Sequence, residues 1–299
     1  MSTALDEILA LKIWRDGAIV DPAQAVISVW DHGLLYGDGV FEGIRLRSGR
    51  IYRPQLHLAR LRGSARAVAL EIPYSDAELM AGIAQTARAN AIDEAHVRVI
   101  ATRGVGFPGI DPRRCPIATT LILAYPFPPL LGSDPISLIT SGVARKSPRS
   151  VSARVKSLSY LDSVLAKVQA NASGAGDALM LDGSGLVAEA TGANVFCVHG
   201  TSLRTPTTIA SLAGITRATI LELAPGAGLD PVVEALEPGD LYTADEVFLT
   251  GTGAGIVPVA SIDGRAVPAA PGPHTTALDA AYRATWADPA YTVGLDELR

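Results

Sequence analysis

The chain has 299 residues, 25 of them basic and 30 acidic, giving a formal charge of -5, and nearly half of it is apolar. That is enough apolar matter for a sizeable core in one large or two medium domains, and the charge lacks the basic footprint of a nucleic-acid or acidic-membrane binder. Cys115 and Cys197 are isolated and five scattered His offer no paired ligand spacing, which argues against a disulfide scaffold and a structural zinc site.

In chain order, Met1 to Leu11 carries two acids and no basic cluster, unlike an export signal. No apolar run approaches the roughly 20 residues of a membrane span, so a soluble, cytoplasmic protein is expected. Lys12 to Val20 reads as a hairpin around an Asp16-Gly17 turn. Val40 to Leu46 reads as a strand, followed by a Ser48-Gly49 turn and a short strand, Arg50 to Tyr52. A helix is predicted from Pro54, with Leu58, Leu61, Ala65 and Val68 near helical spacing. Ser75 precedes Glu78 by three residues, a capping-box spacing that opens a helix to about Asn90. Val97 to Thr102 and Ile117 to Ala124 read as buried strands.

Prolines crowd Pro126 to Pro135, where neither a helix nor a central strand can continue. This places a small N-terminal domain at 1–125, a connecting loop at 126–135 and a larger domain at 136–299. Ile136 to Thr140 opens a second strand system. Leu161, Val164, Leu165 and Val168 fall at i, i+3, i+4 and i+7, predicting an amphipathic helix over Ser159 to Ala172. Ala178 to Leu181, Leu186 to Ala190 and Asn194 to Val198 follow as short strands, then a helix from Ile215 to about Leu223 and a strand from Glu246 to Thr250. The tail after Pro271 shows little pattern.

Arginines outnumber lysines heavily; only Lys12, Lys146, Lys156 and Lys167 carry an amine, and a guanidinium does not form imines under ordinary conditions. Lys156 sits between a Val-rich extended segment and the predicted helix; it reads either as a solvated surface lysine or as a reactive group at a junction where α/β folds present them. Lys146 lies in a polar Arg/Ser loop. Gly214-Ile215-Thr216 opens a helix whose free N–H groups suit an anion. Thr250-Gly251-Thr252-Gly253-Ala254-Gly255 can form a backbone nest. Neither continues into the Gly-Lys-Ser/Thr of a nucleotide loop. Gly104, Gly106 and Gly109 match a dinucleotide count, but Pro108 and Asp111-Pro112 interrupt it, so a loop is the better reading. Glu189 ends an apolar strand, either as an exposed strand end or paired with a buried cation. His57 and Arg60 share one helix face, so Arg60 either binds phosphate or covers that face.

Taken in order, these segments read Tyr36-Gly-Asp-Gly-Val-Phe41-Glu-Gly-Ile-Arg45, His57-x-x-Arg60-Leu, Lys156-Ser-Leu-Ser-Tyr160, Glu189-Ala-Thr-Gly-Ala-Asn194, Gly214-Ile-Thr-Arg217 and Thr250-Gly-Thr252. From about Gly17 to Gly264 the chain resembles the fold-type IV pyridoxal-phosphate enzymes, the family of branched-chain aminotransferases, D-amino acid aminotransferases and aminodeoxychorismate lyase. The resemblance implies a two-domain α/β (α+β) architecture with pyridoxal 5'-phosphate in the interdomain cleft, and at least a homodimer in which a neighbouring subunit's loop closes the substrate site. It implies that Lys156 forms the internal aldimine, that Glu189 keeps the pyridine nitrogen protonated, that Tyr160 bonds the ring hydroxyl and that Leu212 packs on the ring. The phosphate would be held by Arg60, by Thr216 with the Ile215 backbone, and by Thr252 with the Gly253 backbone, with Asn194 in support. An acid at the ring nitrogen makes the ring an electron sink, and a lysine beside the substrate α-carbon can shuttle its proton.

The segments around Phe41 to Arg45 and Thr102 to Arg113 look most like branched-chain aminotransferases. The substrate-facing set is then Tyr36, Phe41, Arg45, His96, Arg98 and Ala254. His96 and Leu130 stand where that subgroup has tyrosines, and Gly255 where it has a glutamate, which leaves Arg98 as the anion anchor. His96 reads equally as an ordinary strand histidine. The expected activity is amino transfer from a branched-chain L-amino acid to 2-oxoglutarate. The alternatives are a transaminase of D-amino acids or (R)-amines, a lyase acting on aminodeoxychorismate, and a non-catalytic binding protein that kept the fold.

Overall fold

The Asp16-Gly17 hairpin forms as expected, with both turn residues at positive φ (47° and 97°) between β1 (Ile13–Arg15) and β2 (Ala18–Val20) in this computed structural model. The structure describes residues 2–126, 131–132 and 134–298, with side chains from residue 5 onward. Much of the proline-rich 126–135 segment, including Leu130, lies outside the described residues.

The chain divides into two units. The first comprises Met1–Phe127, Val155–Ser159 and Trp286–Arg299; the second comprises Pro128–Arg154 and Tyr160–Thr285. The first is built on β3 (Gly39–Arg47), β4 (Arg50–Tyr52), β5 (Ala95–Thr102) and β6 (Thr119–Tyr125), joined by β1, β2 and an edge strand β16 (Thr292–Gly294). These seven strands form one antiparallel sheet in the order β16-β4-β3-β5-β6-β1-β2. Helix α3 (Pro54–Ala67) starts on a proline, which supplies a preset φ and lacks only an N–H that would go unbonded anyway. Helix α4 (Asp76–Ala89) starts on the predicted capping box, with Ser75 N–H donating to Glu78 Oε2 at 2.6 Å and Glu78 N–H to Ser75 Oγ at 3.2 Å. Leu58 and Leu61 of α3 and Leu79 and Ile83 of α4 share one core with Val40, Ile44, Val97 and Val99. Two short helices, α1 (Ser2–Leu9) and α2 (His32–Tyr36), precede β3.

The second unit carries a nine-stranded mixed sheet of order β12-β11-β10-β13-β14-β7-β8-β9, with β15 beside β14. Its strands are β7 (Ile136–Thr140), β8 (Asp177–Leu181), β9 (Val187–Ala190), β10 (Asn194–His199), β11 (Ser202–Pro206), β12 (Asp230–Glu234), β13 (Glu246–Gly251), β14 (Gly255–Ile262) and β15 (Arg265–Ala266). Helices α5 (Leu161–Ser173), α6 (Ile215–Leu223), α7 (Pro238–Tyr242) and α8 (Pro273–Ala284) complete it. The tail therefore holds a helix and a strand; β16 is too short to show a period, and its place beside β4 is fixed by long-range pairing. Among the described residues, no helix is long and apolar enough to cross a membrane.

Helix α5 is present but faces the opposite way from the stripe that predicted it. Leu161, Val164, Leu165 and Val168 are exposed, while Ser163, Ala166 and Ala170 are buried. Ala166 and Ala170 meet Ala178 and Met180 of β8, a close approach that only small side chains allow. Ala166→Leu is expected to destabilise the protein by about 1–3 kcal/mol through overpacking, read as a lower midpoint of chemical unfolding.

Candidate active site

Alternation along β3 gives it two faces of different character. Phe41, Gly43 and Arg45 share one; Val40, Glu42, Ile44 and Leu46 share the other, so Glu42 lies in an apolar series. The register pairs Gly43 with Arg98 and Arg45 with His96 of β5, which puts Phe41, Arg98, His96 and Arg45 on one face. His96 packs so closely on Gly43 that a Cβ there would come within 2.8 Å of its ring.

Lys156 reaches this face because its segment runs along the start of β3. Phe41 N–H donates to the Lys156 carbonyl at 2.9 Å, Leu158 N–H donates to the Gly39 carbonyl at 2.9 Å, and Lys156 N–H donates to Ser64 Oγ of α3 at 3.1 Å. The Lys156 amine then sits 4.5 Å from the centre of the Phe41 ring, and the Arg98 guanidinium 4.1 Å from the same ring. Arg98 also bonds the Tyr125 hydroxyl, and Arg45 lies 4.5 Å from the Trp286 ring. Burial, followed by Arg98, Arg45, Lys156 and His57, pushes His96 down to about 4, so its imidazole is neutral among these cations. Tyr36 is not part of this row. It ends α2, stands edge-on to His32 and accepts from Gly109 N–H at 2.9 Å.

On the opposite face, Glu42 is fully buried and grips α3. Arg60 Nε and Nη2 donate to its two oxygens at 2.6 and 2.8 Å, and His57 Nδ1 lies 2.7 Å from Oε2. Burial alone would raise the Glu42 carboxyl, but the bonds from Arg60 and His57 outweigh it and bring it down to about 2. Burial pushes His57 down against the pull of Glu42. Neutral His57 thus donates from Nδ1, and its Nε2 is buried with no hydrogen-bond partner among the described residues. The sequence signal for Glu42 was an acid in phase with Val40, Ile44 and Leu46, followed by His57 and Arg60 on one helix face.

The remaining predicted cofactor residues lie in the second unit. Glu189, on β9, is buried. Its Oε2 accepts from Asn194 Nδ2 at 3.2 Å and Leu212 N–H at 3.1 Å, and Asn194 Nδ2 also reaches the Leu212 carbonyl at 2.9 Å. Asn194 therefore ties β10 to the segment leading into α6. Its Oδ1 would stand 2.0 Å from a Cβ on Gly214, so a side chain there would displace the Asn194 amide. Gly214 caps α6 without a side-chain bond, leaving the N-terminal N–H groups at Ile215 and Thr216 to another acceptor. Thr216 Oγ1 lies 3.4 Å from the Tyr282 hydroxyl. Thr252, Gly253 and Ala254 form a three-residue loop between Gly251 and Gly255, which are paired, and Gly255 takes φ 72°. Beside that loop, the buried Thr250 Oγ1 has no partner among the described residues. Tyr160 precedes α5, with the Lys146 amine 5.5 Å from its ring.

The acid of this group is held by a residue the sequence did not single out. Arg145, in the loop read as polar, is buried and bonds Glu189. Nothing in its neighbourhood, Ser-Gly-Val-Ala-Arg-Lys-Ser, has a period that marks a buried position.

A phosphorylated aldehyde cofactor needs an amine, an acid for its ring and an anion cradle, and the chain has groups of each kind. Lys156 could supply the amine and the buried Glu189 the acid. The uncapped α6 start and the orphaned hydroxyl beside the Thr252 loop are the polar groups an anion would satisfy. The residues present fit such a group.

Stability should fall on acidification. Glu42 and His57 are both held below their unfolded values of 4.5 and 6.5, so their contributions are present above those values and are lost as pH falls, first His57 below 6.5, then Glu42 from 4.5 towards 2. Melting temperature measured from pH 7.5 to 2.5 is expected to drop, and the part of the drop below about pH 4.5 should be shallower in Glu42→Gln.

The sequence pattern described as amino-transferase class IV matches residues 39–262. The chain is 47% identical over 258 residues to a putative branched-chain-amino-acid aminotransferase of Methanocaldococcus jannaschii, covering 86% of this chain and 90% of that protein. The crystal structure of Escherichia coli branched-chain amino acid aminotransferase matches with a TM-score of 0.92 at 31% identity, over 96% of this chain and 99% of that one. The T.th. branched-chain amino acid aminotransferase matches with a TM-score of 0.91 at 33% identity, over 96% of this chain and 99% of that one. That protein was solved with N-(5'-phosphopyridoxyl)-L-glutamate and with 4-methylvaleric acid.

Proposed function

The chain belongs to the class IV aminotransferases, and from that premise we propose that it transfers the amino group of a branched-chain L-amino acid to 2-oxoglutarate with pyridoxal 5'-phosphate as cofactor. The observation that carries this reading is the Phe41 ring flanked by the Lys156 amine at 4.5 Å and the Arg98 guanidinium at 4.1 Å. A reactive amine, an anion anchor and an apolar wall between them suit an amino acid with a hydrophobic side chain. The glutamate and branched-acid complexes of the T.th. protein support the same pair of substrates.

When bound, the cofactor supplies an aldehyde that takes up the amino group and a protonated ring that withdraws electrons from the substrate α-carbon. Lys156 would hold this aldehyde and would move the α-proton through its Nζ. Glu189 would hold the proton at the ring nitrogen, Tyr160 would bond the ring hydroxyl, Leu212 would pack on the ring and Asn194 fixes Glu189 and Leu212. Arg60, Thr216 with the Ile215 backbone, and Thr252 with the Gly253 backbone bind the phosphate. Arg98 binds the substrate carboxylate, with Tyr36, Arg45, His96 and Ala254 shaping the rest of the pocket, and Phe41 excludes water.

Borohydride reduction of the holoenzyme followed by peptide mapping should find the cofactor joined to Lys156. Lys156→Ala should lower transamination by on the order of 10²–10⁴-fold, the scale of a lost proton-transfer group. Both enantiomers of leucine, valine, alanine and glutamate should be tried as donors. Turnover restricted to D-substrates overturns the proposed specificity, and absence of any adduct or turnover leaves the binding-protein alternative.

We also propose a cytoplasmic homodimer or larger homo-oligomer, supported by two unpaired cysteines and by the exposed apolar stripe Leu161, Val164, Leu165 and Val168. Sedimentation should give at least twice the chain mass; a single-chain mass refutes the assembly.

A further inference from the structure

Glu189 is the acid assigned to the cofactor ring, and an isolated carboxylate buried as deeply as this one would take up a proton rather than stay charged. A protonated Glu189 could not balance a positive ring nitrogen. Arg145 supplies the missing charge. Its Nε and Nη2 donate to Glu189 Oε1 at 2.9 and 2.6 Å, while Nη1 donates to Asp162 Oδ2 at 2.8 Å and Ser163 Oγ at 3.0 Å. Its own backbone N–H is fixed to the Leu181 carbonyl at 2.8 Å. The guanidinium fork thus runs from the start of α5 to β9, and each of its three nitrogens donates a hydrogen bond.

The bonding of Glu189 is uneven. Oε1 takes both charge-assisted bonds, and the donors on Oε2 are neutral and longer, at 3.2 and 3.1 Å. Asp162 matters as well, because it shares the Arg145 charge; an arginine serving Glu189 alone would weaken it more as a partner for a ring proton. Burial works against the Arg145 charge, but Glu189 and Asp162 more than offset this and hold it above its ordinary value.

We propose that Arg145 is the positioning residue that keeps Glu189 ionised and aligned as the acceptor for the ring N–H, so that it sets how strongly the enzyme prefers a cofactor with a protonatable ring nitrogen. This rests on the reading that Glu189 serves the ring nitrogen.

The test compares two ligands of the full chain stripped of cofactor: pyridoxal 5'-phosphate and its 1-deaza analogue, in which carbon replaces the ring nitrogen. Loss of fold or of the phosphate cradle weakens both equally, so the affinity ratio isolates the ring nitrogen. Wild type is expected to favour the natural cofactor, Arg145→Gln to narrow that ratio by about tenfold or more, the equivalent of one pKa unit, and Arg145→Lys to keep most of it. Should Arg145→Gln fail to fold, Asp162→Asn carries the test: with Asp162 neutral the Arg145 charge falls wholly on Glu189, and the ratio should shrink several-fold. A wild-type preference that survives unchanged in these variants overturns the role of Arg145 alone. Equal affinity of wild type for both ligands overturns the assignment of Glu189, and this proposal with it.

Discussion

Burying a carboxylate such as Glu42 without a cation would cost several kcal/mol, and the same holds in reverse for the guanidinium of Arg145. The structure meets both costs by pairing. Arg60 and His57 close on Glu42, and Arg145 closes on Glu189. In each pair one member is a group that the proposed function uses, Arg60 as the proposed cation for phosphate and Glu189 as the proposed anion for a ring nitrogen. The other member lies behind it and fixes its direction. A charge held this way need not reorganise when a ligand arrives, which is how fixed dipoles and ions contribute to catalysis in a dry site.

The first-unit sheet divides this labour between its faces. One face of β3 sends Glu42 into the core towards α3; the other offers Phe41, with Arg98 and His96 coming from the neighbouring strand. A shift of one residue in the β3–β5 register would exchange the faces and destroy both arrangements together. Eight consecutive paired positions, Gly39–Thr102 through Leu46–Ala95, hold that register. Lys156 comes to the same face from far along the chain, anchored by main-chain bonds to Gly39 and Phe41. Its main chain is thus placed by backbone geometry.

What could be read from the chain follows the range of the forces involved. The Asp16-Gly17 turn, the Ser75 box and α6 were legible because local chemistry decides them. Lys156, Glu189 and Arg60 were legible as candidates because the motifs that resemble a known family keep their order. The direction in which α5 faces was not, since Leu161, Val164, Leu165 and Val168 make a convincing inward stripe until Ala166 and Ala170 are seen to pack on Ala178 and Met180 of β8. Arg145 was not legible either, because its burial is fixed by partners 17 and 44 residues away. Short strands such as β16 carry no period, so their pairing appears only in three dimensions.

The first unit is assembled from three stretches of chain, the last of them residues 286–299. During synthesis on the ribosome its sheet can begin to form early, yet both the segment bearing Lys156 and the edge strand β16 emerge later, after long stretches destined for the second unit. The nascent protein therefore cannot present the Lys156 amine before that segment emerges, and cannot cover the β4 edge until β16 follows. A ribosome that stalls before residue 286 leaves β4 as an unpaired sheet edge, the kind of surface on which chaperones and aggregation compete.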